Sequence, residues 1–169
     1  MAFDFSKLTV LIAEDTAPMR KLVRNVLEAL NIRNIHEARN GEEAFKIMYE
    51  ENPDIVIVDW DMDPMDGIEL AGEIRKGPLS PNRLVPIIFL TGYSSAKKVL
   101  QARDAGATEF VVKPFSAADL AKRVAYVINR PRDFIDCGTY FGPDRRRLKG
   151  EDDYSGELRR YIDWEDDDD

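Results

Sequence analysis

Between Leu8 and Asn129, five short apolar runs alternate with five stretches of helical periodicity, and this alternation restricts the fold more than any other property of the chain. Leu8 to Ala13, Ile32 to Ala38, Asp54 to Asp59, Val85 to Leu90 and Glu109 to Val112 read as strands. Continuous apolar runs suit strands buried on both faces of a parallel sheet. Between them, sets such as Met19, Leu22, Val23, Val26, Leu27, Leu30 and Leu120, Val124, Val127, Ile128 recur at helical spacing. Further helices are expected over 42–51, 68–76 and 95–105, and Thr16 with Pro18 marks the start of the first. Strict alternation predicts right-handed crossovers with helices on both faces, a doubly wound α/β domain over residues 1–129.

Composition narrows the function classes. The chain has 169 residues, enough for one sizeable core and too few for two full domains. Its 24 basic and 32 acidic residues leave a net charge of −8, which argues against broad nucleic-acid binding or a charged grip on anionic membranes. A single cysteine, Cys137, allows no internal disulfide and suits a reducing compartment. No stretch reaches the length of a membrane span, and the first residues lack a signal-peptide core. The chain reads as soluble and cytoplasmic.

In an open parallel sheet, ligands bind beyond the C-terminal strand ends. Reactive groups fall at four of those ends: Glu14 and Asp15 after the first strand, Asp59 closing the third, Thr91 after the fourth, and Lys113 with Pro114 after the fifth. Three carboxylates repel one another unless a cation is present, and an all-oxygen set with an incomplete shell suits hydrated Mg²⁺. Lys113 adds a positive charge, Thr91 a hydroxyl donor, and Asp59 a carboxylate able to form an aspartyl phosphate.

These residues resemble the receiver domains of two-component response regulators, especially the single-domain CheY type, over about Leu8 to Asn129. The resemblance implies a flavodoxin-like five-stranded sheet in the order 2-1-3-4-5. It implies Mg²⁺ on Glu14, Asp15, Asp59 and the main-chain carbonyl of Asp61, and a phosphoryl group arriving on Asp59 from a histidine kinase. Thr91 and Lys113 would read its arrival, and Phe110 stands at the aromatic switch position, with simple core packing as the other reading. A receiver is a phosphoacceptor rather than an enzyme, with a downstream protein as target and chemotaxis or flagellar motor control as the setting. A receiver that is never phosphorylated is the alternative.

Three departures from the family pattern stand out. Glu14 replaces the commoner aspartate, Pro64 sits one place later than usual after Asp59, and Asp61 and Asp63 add acids beside the pocket. His36, the only histidine, reads as a partly exposed strand residue, and Cys137 as a small packing residue.

Residues 130–169 lack the apolar periodicity to build a core and read as an extension ordered only by docking. Residues 130–149 carry six basic groups (Arg130, Arg132, Arg145, Arg146, Arg147, Lys149), whereas 163–169 hold six acids and no base. Arginine forks bind phosphates and aromatic faces stack on bases. Arg130, Arg132, Asp133, Tyr140, Phe141, Asp144 and Arg145 to Arg147 therefore form a candidate guanine-nucleotide site. The arrangement is similar to the arginine-rich extensions of CheY-like effectors that bind cyclic di-GMP. A solvated or receiver-docked tail is the competing reading, and no helix-turn-helix pattern for DNA is expected.

Overall fold

In the computed structural model, the described residues are 4–92 and 96–144. After one 3-10 turn (Phe5–Lys7) come β1 (Thr9–Ala13), α1 (Ala17–Ala29), β2 (Asn34–Ala38), α2 (Gly41–Glu51), β3 (Ile55–Asp59) and α3 (Gly67–Lys76). Then follow β4 (Ile87–Thr91), α4 (Ala96–Asp104), β5 (Glu109–Val112), α5 (Ala117–Asn129), β6 (Phe134–Asp136) and β7 (Phe141–Pro143). The first five strands form one parallel sheet in the order β2-β1-β3-β4-β5, as the resemblance implied.

Strand alternation divides the core in two. Leu11, Val56, Val58, Ile87 and Phe89 face α2, α3 and α4, where Met48, Leu70, Ile74 and Val99 are buried. Val10, Ile12, Ile55, Ile57 and Ile88 face α1 and α5, against Val23, Leu27, Leu120 and Val124. Every residue of β3 is buried, so Asp59 ends a strand that has no solvent-facing side. No helix among the described residues is long and apolar enough to cross a membrane.

β2 and β4 begin two residues later than the apolar runs suggest. Asn31 is left-handed (φ 67°), and Ile32 donates its amide to the Leu27 carbonyl, so Ile32 closes α1 before β2 starts. The Val85 carbonyl accepts from Arg75 Nη1 at 2.6 Å and Pro86 has no N–H, so the β4 ladder waits until Ile87. Helix ends follow ordinary capping: Asn40, Asp66 and Ser116 accept from amides three residues on, and Ser116 with Asp119 forms a capping box.

The antiparallel pair β6-β7 was not expected from the sequence. Its strands have three residues each, too short to show period-two alternation. The hairpin docks on the receiver: Phe134 lies under the Arg75 guanidinium at 4.9 Å and Phe141 under that of Arg83 at 4.0 Å. Arg75 is fully buried, donating to the carbonyls of Gly106, Arg83 and Val85, and burial pushes its pKa down to about 9. Gly106 is left-handed (φ +98°), and a Cβ there would meet Arg75 Cγ at 2.8 Å, so this corner admits only glycine.

Candidate functional site

The C-terminal ends of β1, β3, β4 and β5 converge because parallel register aligns Ala13 with Val58, Asp59 with Leu90 and Thr91 with Val112. One residue beyond β1, Glu14 is almost wholly buried (1% exposed) although it is ionisable, and Asp15 beside it is exposed. Carboxylate oxygens of Glu14, Asp15 and Asp59 lie within 4.8 Å of one another. Lys113 Nζ donates to Asp59 Oδ1 at 2.8 Å and to Glu14 Oε2 at 3.4 Å.

Lys113 is brought there by the backbone, its amide donating to the Thr91 carbonyl at 2.7 Å. Both the Lys113–Pro114 and Asp63–Pro64 peptides are cis. Thr91 itself, the last residue of β4, is buried.

The electrostatics are those of an acidic pocket with too little positive charge to balance it. Burial raises the Asp59 pKa above its ordinary value; Lys113 opposes this, and the charges of Asp15 and Asp61 add to it. Burial and then the Asp59 charge likewise raise Glu14. Burial works to lower Lys113, but its hydrogen bond and charge contacts with Asp59 and Glu14 outweigh that, and its pKa rises. One ammonium facing three carboxylates leaves net negative charge, and the donors are all oxygen. The set therefore fits a hard divalent cation such as Mg²⁺, which is bound through a few carboxylates and keeps several waters.

Four supporting residues were not singled out from the sequence. Thr16, read there as a helix cap, donates its amide (3.2 Å) and hydroxyl (3.0 Å) to Glu14 Oε1. Arg20 Nη1 donates to the main-chain carbonyls of Glu14 (3.0 Å) and Asp15 (3.3 Å). Gly67 donates its amide to the Trp60 carbonyl, and a Cβ there would lie 2.5 Å from the Asp59 carbonyl oxygen. Phe89 links two rings, edge-on to Trp60 at 5.9 Å and tilted against Phe110 at 6.4 Å. Phe110 is thus buried in the core of this structure. The main-chain interactions of Arg20 and Gly67 leave no residue-type signature; for Gly67 a glycine just after Asp66, the cap of α3, was the available signal.

The extension residues separate. Tyr140 is buried and donates its hydroxyl to the Pro143 carbonyl at 2.8 Å, Phe141 contacts Phe134 and Arg83, and Arg130 lies over Tyr126. Arg132 Nη2 approaches the buried Glu109 at 3.8 Å. Asp133 and Asp144 sit at the open end of the hairpin, where the Asp144 amide donates to the Asp133 carbonyl. Tyr140 and Phe141, the aromatics expected to stack on a base, pack within the hairpin and, for Phe141, against Arg83. Arg145, Arg146 and Arg147 lie outside the described residues. His36 is a half-buried strand residue with Nε2 3.6 Å from Glu51, and the Cys137 side chain is exposed.

Known proteins share this architecture. The family model for response regulator receiver domains matches residues 10–125. The transcriptional regulatory protein PdtaR of Mycobacterium tuberculosis is 39% identical over 124 residues, covering 73% of this chain and 58% of PdtaR. The phosphate regulon transcriptional regulatory protein PhoB of Pseudomonas aeruginosa is 32% identical over 122 residues, covering 72% of this chain and 52% of PhoB. The chain thus spans about half the length of these curated relatives. Among solved structures, the chemotaxis response regulator CheY4 of Vibrio cholerae superposes with a TM-score of 0.66 at 29% identity, covering 71% of this chain and 98% of that one. A Francisella response regulator receiver domain gives 0.67 at 28% identity, with 73% and 98% covered.

Proposed function

Because the chain belongs to the response regulator receiver domain family, we propose that Asp59 accepts a phosphoryl group from a histidine kinase and that the modified domain signals by protein contact. The observation that carries this reading is the meeting of three carboxylates with Lys113, whose Nζ lies 2.8 Å from Asp59 Oδ1, at the C-terminal edge of the sheet.

In the transfer, an Asp59 carboxylate oxygen attacks the phosphorus of a phosphohistidine. A P–O bond forms as the P–N bond breaks, and the electron pair departs with the imidazole nitrogen. Lys113 neutralises part of the charge carried by the transferring group, and the Thr91 hydroxyl donates to one of its oxygens. Glu14, Asp15, Asp59 and the main-chain carbonyl of Asp61 would hold Mg²⁺, which supplies the remaining charge neutralisation when bound. Asp59, Glu14 and Thr91 are buried, so on the sheet side of the pocket these interactions are worth more than in water.

Output through a downstream protein, in chemotaxis or flagellar motor control, is supported by the likeness to a chemotaxis response regulator. The second reading, an extension that binds cyclic di-GMP, rests on the basic residues at 145–147 rather than on the packed aromatics of β6-β7.

Acetyl phosphate tests the phosphoacceptor reading. With MgCl₂ present, intact mass should rise by one phosphoryl group, and Asp59→Asn should stay unmodified. A wild type that stays unmodified under conditions that phosphorylate ordinary receivers would overturn it.

A further inference from the structure

Arg20 lies in the first turn of α1, where the helix macrodipole disfavours a cation, yet its side chain is only 16% exposed. Its position is explained by what it touches. Nη1 donates to the Glu14 carbonyl at 3.0 Å and the Asp15 carbonyl at 3.3 Å. From the other side Nε approaches Glu37 Oε1 on β2 at 3.8 Å. Glu37 Oε2 accepts from Arg24 Nη1 at 3.1 Å, and Arg24 Nε pairs with Glu28 at 3.0 Å. The guanidinium therefore ties the main chain of the acidic turn to α1 and to β2, one strand further out in the sheet.

We propose that Arg20, steadied by Glu37, is a positioning residue for the divalent-cation site: it pins the β1-α1 turn so that Glu14 and Asp15 meet Asp59 before a cation arrives. The proposal rests on the reading that these three carboxylates hold Mg²⁺. Two effects of Arg20 oppose each other. Its charge, close to a cation site, weakens Mg²⁺ binding by repulsion, whereas its hydrogen bonds strengthen binding by fixing the backbone that carries two of the ligands. Outer partners of metal ligands commonly change affinity by about 10- to 100-fold. Repulsion through partly solvated surroundings is smaller. Preorganisation should win.

The sign of the change decides the matter. Trp60, buried beside Asp59, reports on the site by fluorescence in a Trp164→Phe background, and Mg²⁺-induced thermal stabilisation gives a second readout. Titration with MgCl₂ should show Arg20→Gln with a Kd raised about tenfold. Arg20→Lys keeps the charge but loses the planar fork, and should fall between that variant and the wild type. Both should melt within a few degrees of the wild type without divalent cation, so that loss of fold does not produce the change. An unchanged or lower Kd in Arg20→Gln would overturn the positioning role and leave charge alone. If Arg20→Gln fails to fold, a wild-type Kd in Arg20→Lys overturns it instead. A wild type that shows no Mg²⁺ response in either readout removes the metal reading, and the positioning role with it.

Discussion

At the scale of single residues, the anion of Asp59 is held at a cost. Burial raises its pKa, and Lys113 does not fully offset that. A folded-state pKa above the unfolded one means that the native state binds the extra proton, so this contribution to stability falls as pH rises through the raised value. Asp59→Asn should therefore melt above the wild type at pH 7 without divalent cation, and the gap should narrow as the pH is lowered toward the raised pKa. Excess MgCl₂ should reverse the order, since a cation at 100 times its Kd stabilises the wild type by about 2.7 kcal/mol. Thermal melts at two pH values, with and without MgCl₂, check all three signs.

Gly67 makes a second prediction at this scale. Its Cβ would have to share space with the Asp59 carbonyl oxygen, a backbone atom unable to step aside alone. Gly67→Ala should cost about 1 to 3 kcal/mol in urea unfolding and slow Asp59 labelling together. The side chains that gather at the strand ends, Glu14, Asp15, Asp59, Thr91 and Lys113, were legible in the sequence because each stands at the end of an apolar run. Arg20 and Gly67 were not, because what they hold at the site is main chain.

At the scale of elements, strand and helix order followed from apolar periodicity, and the edges moved where the backbone had other engagements. Ile32 closes α1 and the Val85 carbonyl serves Arg75, two uses of the main chain that hydropathy does not encode. The β6-β7 hairpin escaped notice for a different reason: its burial is against the receiver, and its three-residue strands carry no pattern of their own. Tyr140→Phe removes the donor to the Pro143 carbonyl and should cost about 1 kcal/mol. A chain ending at Asn129 loses the Phe134 and Phe141 contacts to Arg75 and Arg83 as well, and its urea midpoint should fall further than that of Tyr140→Phe. Equal midpoints would mean that the hairpin adds nothing beyond that one bond.

At the scale of the whole molecule, one sheet separates two tasks. The C-terminal strand ends gather the acids and Lys113, while the hairpin closes the opposite end, near Gly106 and Val85, where β4 and β5 begin. Between them runs β5, with Glu109 beside Arg132 at one end and Lys113 at the other. Lys113 should carry much of the transition-state charge at the site, and Lys113→Ala should slow phosphoryl transfer about 100-fold, read as the rate of Mg²⁺-dependent modification by acetyl phosphate. A rate within a factor of two of the wild type would remove Lys113 from the chemistry.

The most direct measurement is the position of the phosphoryl group itself. Asp61 and Asp63 stand two and four residues beyond Asp59, and Asp15 lies in the same cluster, so a mass gain alone does not identify the acceptor. Chemical trapping of the acyl phosphate after reaction with acetyl phosphate and MgCl₂, followed by fragment-ion mapping, should place the modification on Asp59 alone. Modification on Asp15, Asp61 or Asp63 with Asp59 untouched would contradict the account.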